Sequence, residues 1–286
     1  MIEMFIDSWD LFAEAYITGW LVAALLGLMG VLVVARNQIF ITAAITQTSM
    51  FGIGVAMWIT MTSFGHWLEP HLSLLIYIHA IAFSIAAALI TIRVRAASSR
   101  EAITGWLYLA ATAIMLVSLY HTPVGLREIR VRLSSSIIGS ETIDIAVFAA
   151  LLVISAGVVA RSRQSLMLLS MDPVMAGAVG LPVRRWETGI ALWFGLVIGV
   201  AIQSAGVLYT FGCLVLPTLV ARNLCRRGGS IFWVAPLIAT GTAVLAFIPA
   251  VYYDFPPAQM ATVFLCLEVP IAWLGRKLTE RFRTSS

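Results

Sequence analysis

The chain has 286 residues, 60% of them hydrophobic and 11% charged, with a mean hydropathy of +0.96. A soluble domain carries about a quarter charged residues, so a water-soluble fold is excluded and the composition is that of a polytopic membrane protein. Eighteen basic residues and a pI near 9.2 do not make it a nucleic-acid binder, because the arginines stand at the ends of apolar runs, where they anchor helices to the membrane surface.

The first residues carry Glu3, Asp7, Asp10 and Glu14 and no basic group, the opposite of a cleavable signal peptide, so the N-terminus is expected to remain attached and outside. Ala13 to Ala35 has no charge after Glu14 and as a helix is about 34 Å long, enough to cross the hydrocarbon core. Arg36 ends it, and Gly19, Ala23 and Gly27 recur at four-residue spacing, a face for close approach of another helix.

Ile39 to Thr62 is the second apolar run and carries Thr42, Thr46, Gln47, Thr48 and Ser49. Polar groups inside lipid need partners, so this face is expected to point inward, either packing through its hydroxyls and amide or lining a substrate path. His66, Glu69 and His71 follow around Pro70, either a solvated outer loop or a weak metal site. Leu72 to Ile92 returns to Arg93, Arg95 and Arg100. His79, about 10 Å into this helix by its rise per residue, either bonds a neighbouring carbonyl or serves a transport path.

Ile103 to Tyr120 crosses outward. Gly125 to Glu141 then mixes Arg127, Arg130 and Arg132 with alternating Ile129, Val131 and Leu133, and is expected to lie along the outer surface. The other basic residues all fall on the inner side, so the positive-inside bias holds. Thr142 to Ala160 crosses inward to Arg161 and Arg163.

A short polar helix then interrupts the membrane-like sequence, between Leu166 and Arg185. Asp172 is suited to cap its first turn, Pro173 to its first position, and Gly180 to close it in a left-handed conformation. A helix over about 172–180 is too short to stand alone in water and needs a docking partner. Arg184 and Arg185 place it in the cytoplasm.

Thr188 to Gln203 goes out past Gly195 and Gly199, and Ala205 to Ala221 comes back, kinked at Pro217, to Arg222, Arg226 and Arg227. Ile231 to Val251 goes out, Tyr252 to Ala258 turns, and Gln259 to Gly275 leads to a cytoplasmic tail with Arg276, Lys277, Arg281 and Arg283. The expectation is an all-α chain, one transmembrane domain over 1–286 with nine crossings, or eight if the pair around Ser204 is a broken or re-entrant element.

Cys213, Cys225 and Cys266 have no ligand spacing and suggest neither disulfides nor zinc. There is no G-x-x-x-x-G-K and no G-x-S-x-G, so the chain reads as no enzyme and nucleotide chemistry belongs elsewhere. Glu268 is the carboxylate deepest in an expected crossing, either bonded to a neighbouring helix or the ion-coupling group of a secondary transporter.

Four stretches together resemble the permease subunits of the ABC importers for manganese, zinc and iron. They are Ser204 to Leu224 (SAGVLYTFGCLVLPTLVARNL), Leu169 to Glu187 (LSMDPVMAGAVGLPVRRWE), Val251 to Val263 (VYYDFPPAQMATV) and Gly30 to Ala56. Their order carries more weight than any one of them, and the likeness covers about residues 14 to 275.

The resemblance implies a homodimeric channel in a bacterial inner membrane, with each short cytoplasmic helix in a groove of an ATPase subunit that binds ATP. An extracytoplasmic binding protein would deliver the divalent ion, and no covalently bound cofactor is implied. The carried-over coupling residues are Asp172, Pro173, Ala176 and Gly180, with Val174 where the family usually has Glu. The family's Asp and His of the second segment correspond, aligned on Gly52, to Ala43 and Gln47. An amide and hydroxyls hold a dehydrated transition ion far less well than imidazole and carboxylate. The ion therefore passes with more of its own water, other groups coordinate it, or the cargo is not a metal. Thr46, Gln47 and His79 are the residues expected along the path, and a secondary transporter is the alternative class.

Overall fold

The computed structural model describes residues 2–61, 71–94, 97–119, 137–225 and 227–284. The expectations for His66, Glu69 and the Arg127, Arg130 and Arg132 stretch lie outside them. Among the described residues every element is helical: α1 (Ile2–Asp7), α2 (Trp9–Ala35), α3 (Ile39–Met61), α4 (Leu72–Arg93), α5 (Ala97–Leu119), a 3-10 turn (Ile137–Gly139), α6 (Thr142–Met171), α7 (Pro173–Ala178), α8 (Val183–Leu224), α9 (Gly228–Tyr252) and α10 (Pro257–Thr284). Apolar runs of this length leave the backbone one way to satisfy its polar groups in lipid, the internal ladder of a helix.

Eight of these helices are long and apolar enough to cross a membrane. The two crossings expected around Ser204 form one continuous element of 42 residues, α8, which breaks at Gly206 (φ 75, ψ 170). At 1.5 Å per residue it would measure about 63 Å if straight, roughly twice the hydrocarbon thickness. A second boundary differs as well. Arg161 and Arg163 do not end α6, which bends at Ser162 (φ −121, ψ 17) and runs on to Met171. Its last turns bury Leu166, Leu169 and Ser170, while Arg161 and Arg163 are exposed.

The chain divides into two compact units. The first comprises 1–37, 136–179 and 208–286. Helix α2 is its core, with Val22, Ala23, Leu25 and Leu26 fully buried. The four-residue stripe works as the sequence suggests, for Gly19 lies against the Phe247 ring and Gly27 against Pro236 and Ala239, all on α9. Along the second half of α8, Tyr209 donates from its hydroxyl to the Gly19 carbonyl at 2.9 Å, and Leu214 presses its carbonyl on Gly30. Residue numbers rise together, so this half runs parallel to α2. The Thr142 hydroxyl bonds to Glu14, and Asp144 closes a capping box with Glu141 at the start of α6.

The second unit comprises 38–135 and 180–207. Ser49 donates to the Ala80 carbonyl at 3.0 Å, and Gly52 admits the backbone at His79, which joins α3 to α4. In the first half of α8, Gly195 lies on Ile85, Gly199 on Ile81, and Gln203 reaches the Ile76 carbonyl. Here numbers rise on one helix as they fall on the other, so this half is antiparallel to α4. The Ser84 hydroxyl also bonds the Gly195 carbonyl.

Candidate functional site

The short helix α7 forms as its residues dictate. The Asp172 carboxylate accepts from the Met175 N–H at 2.9 Å, Pro173 occupies the first turn, and Gly180 takes φ +86 beyond the end. The left-handed backbone carries no penalty at a residue without a Cβ. Six residues give little helix stability on their own. The anchor is Ala176, which is fully buried in the first unit.

The opposite side is exposed and apolar. Val174 is 84% exposed and Met171 76%, with Val179 and Met175 also exposed. Met171 at the end of α6, Val174 and Met175 on α7 and Val179 just beyond it form an exposed apolar patch around the short helix. Of the four expected coupling residues, Asp172, Pro173 and Gly180 shape the helix and Ala176 holds it down, while the face offered outward is Val174 and its neighbours. The sequence shows that face only as an apolar run, LMLLSMDPVM.

The second candidate is the polar stretch of α3. Thr42, Thr46, Thr48 and Ser49 are buried. Three of these hydroxyls turn back on their own helix, Thr46 to the Ala43 carbonyl at 2.7 Å, Thr42 to Ile39 and Thr48 to Ala44. Ala43 and Gln47, by contrast, are half-buried and share a stripe at four-residue spacing with Phe51 and Val55. The Gln47 side-chain oxygen takes a long bond of 3.4 Å from the Thr112 hydroxyl. His79 bonds through Nδ1 to the Leu75 carbonyl at 2.8 Å, the first of its two readings. The structure thus leaves Ala43 and Gln47 half-buried, with Gln47 against Thr112 of α5, and turns the Thr46 hydroxyl back on its own helix.

Among the described residues no group of three or more His, Cys, Asp or Glu side chains stands close enough to hold a metal ion. Glu268 on α10 accepts from the Thr242 hydroxyl of α9 at 2.6 Å, a bond to a neighbouring helix.

This arrangement can be set beside known proteins. Residues 8–274 match the model of the ABC 3 transport family. The chain belongs to that family. A chelated iron transport system membrane protein of Yersinia pestis is 30% identical over 97 residues, 34% of this chain and 33% of that protein. A manganese import system permease protein of Streptococcus gordonii is 21% identical over 272 residues, 93% of this chain and 91% of that protein. The first match thus spans about a third of its relative, the second nearly all. The solved structure of PsaBC from Streptococcus pneumoniae in complex with Fab shares the fold, with a TM-score of 0.78 at 17% identity over 96% of this chain and 95% of that one. This ABC 3 family chain is therefore a multi-pass, all-α membrane protein with the fold of that neighbour.

Proposed function

We propose that the chain is the permease subunit of an ATP-driven importer for a divalent transition-metal ion, manganese or iron before zinc. The observation that carries the reading is the apolar outer face of α7, in a chain that belongs to the ABC 3 transport family. The transport systems of the two relatives, manganese import and chelated iron transport, support the cargo.

In this reading the whole chain works as one permease domain. Two copies face each other across the path, a separate ATPase subunit grips α7, and a binding protein on the far side delivers the ion. Because Val174 stands where the family usually has Glu, the ATPase groove opposite it is apolar rather than basic. Along the path, Gln47 offers a neutral oxygen and Ala43 none, so the ion keeps most of its water and moves without tight binding.

Orientation follows from the basic ends. In the second unit α4 ends at Arg93, where the antiparallel half of α8 begins with Arg184. In the first unit α2 ends at Arg36, level with Arg222 on the parallel half. Counting α8 as two crossings either side of Gly206, the positive-inside rule favours nine passes with the N-terminus outside and α7 and the C-terminus in the cytoplasm.

The test is ATP turnover in proteoliposomes holding the permease with its ATPase and metal-loaded binding protein. Val174→Asp puts a charge into the apolar contact and is expected to lower the stimulated rate at least about ten-fold with insertion into the membrane retained, while Val174→Leu keeps it. Unchanged stimulation in Val174→Asp would overturn the assignment of this face.

A further inference from the structure

The basic end of α10 holds a feature that metal transport does not use. Arg222 at the end of α8 and Arg276 and Lys277 on α10 line a depression of about 410 Å³, together with Trp273 and Glu280. Three cations face one carboxylate. Their heads are held rather than loose. Lys277 Nζ stands 4.1 Å from the centroid of the Trp273 ring, and Arg276 Nε donates to Glu280 at 2.9 Å. A cation over an indole face and a guanidinium fixed by a carboxylate give up less freedom on binding than mobile side chains do.

The depth of the cluster says what meets it. From Pro257 to Arg276 the helix rises about 29 Å, the thickness of the hydrocarbon core. The cations therefore stand at headgroup level, with Trp273 one turn deeper where interfacial aromatic rings settle. Exposed Leu267, Ile271 and Leu274 continue the same helix into the lipid region.

We propose that this depression binds the phosphate headgroup of an anionic phospholipid from the surrounding leaflet, with the acyl chains lying along α10. Charge complementarity selects the headgroup, and the adjoining apolar helix surface selects a lipid over a free phosphate.

Full-length chain in detergent, titrated with short-chain phosphatidylglycerol or phosphatidylcholine and read by native mass spectrometry, tests it. One phosphatidylglycerol per chain should be retained in preference to phosphatidylcholine. Each of Arg222→Gln and Lys277→Gln should weaken retention roughly five-fold, equivalent to about 1 kcal/mol per cation. Glu280→Gln removes the opposing charge while its amide oxygen can still accept from Arg276, and should strengthen retention, a gain that misfolding cannot imitate. Equal retention of the two lipids, or no change in all three variants, would overturn the proposal. So would glycerol 3-phosphate or inorganic phosphate binding as well as the lipid, since the site would then read a soluble anion.

Discussion

The Leu214 carbonyl occupies the space where a β-carbon on Gly30 would stand, with the Thr218 hydroxyl close beside it. That contact lets α2 and the second half of α8 approach at backbone distance, and no side chain can yield to make room. Gly30→Ala is therefore expected to destabilise the chain by roughly 1–3 kcal/mol through overpacking. Gly157→Ala, with open space at its Cβ, should leave thermal unfolding in detergent unchanged or slightly improved. Equal melting temperatures for the two variants would contradict the packing described. The neighbouring Gly19 and Gly27 were legible in the sequence because their spacing repeats along one face. Gly30 breaks the four-residue repeat, and its partner is the second half of α8 rather than α9, which no local pattern announces. The polar residues of α3 were legible as inward-facing, but which of them turn back on their own helix depends on the rotamers of Thr42, Thr46 and Thr48.

At the scale of elements, capping chemistry was the most readable signal. Asp172, Pro173 and Gly180 each act locally, so the start and end of α7 follow from their own side chains and backbone. The end of α6 was not readable. Arg161 and Arg163 look like a membrane boundary, yet the helix continues beyond them because the following turns still have Leu166 and Leu169 to bury. The break in α8 was readable only as a place. Nothing in the run around Ser204 says that helical bonding continues on both sides of a single residue, Gly206, with a backbone that only glycine adopts easily (φ 75, ψ 170). Gly206→Ala should cost roughly 1–3 kcal/mol and lower the thermal midpoint, whereas Gly241→Ala, a helical glycine with open space around it, should not. If Gly206→Ala melts with the parent, α8 does not depend on that strained corner.

For the whole molecule, composition alone gave the membrane and the all-α class, and the order of four motifs gave the family to which residues 8–274 belong. The cargo was less legible, because the two positions at which the resemblance places an Asp and a His hold Ala43 and Gln47 here. The energy source divides the two transport readings most sharply. Glu268, the residue on which ion coupling would rest, is bonded to Thr242, while the apolar face of α7 is exposed. Uptake of radioactive manganese into proteoliposomes containing the permease, its ATPase and binding protein separates them. Accumulation is expected to require ATP on the side of α7 and to survive collapse of the proton gradient. Uptake that continues without the ATPase and disappears with the gradient would contradict the account.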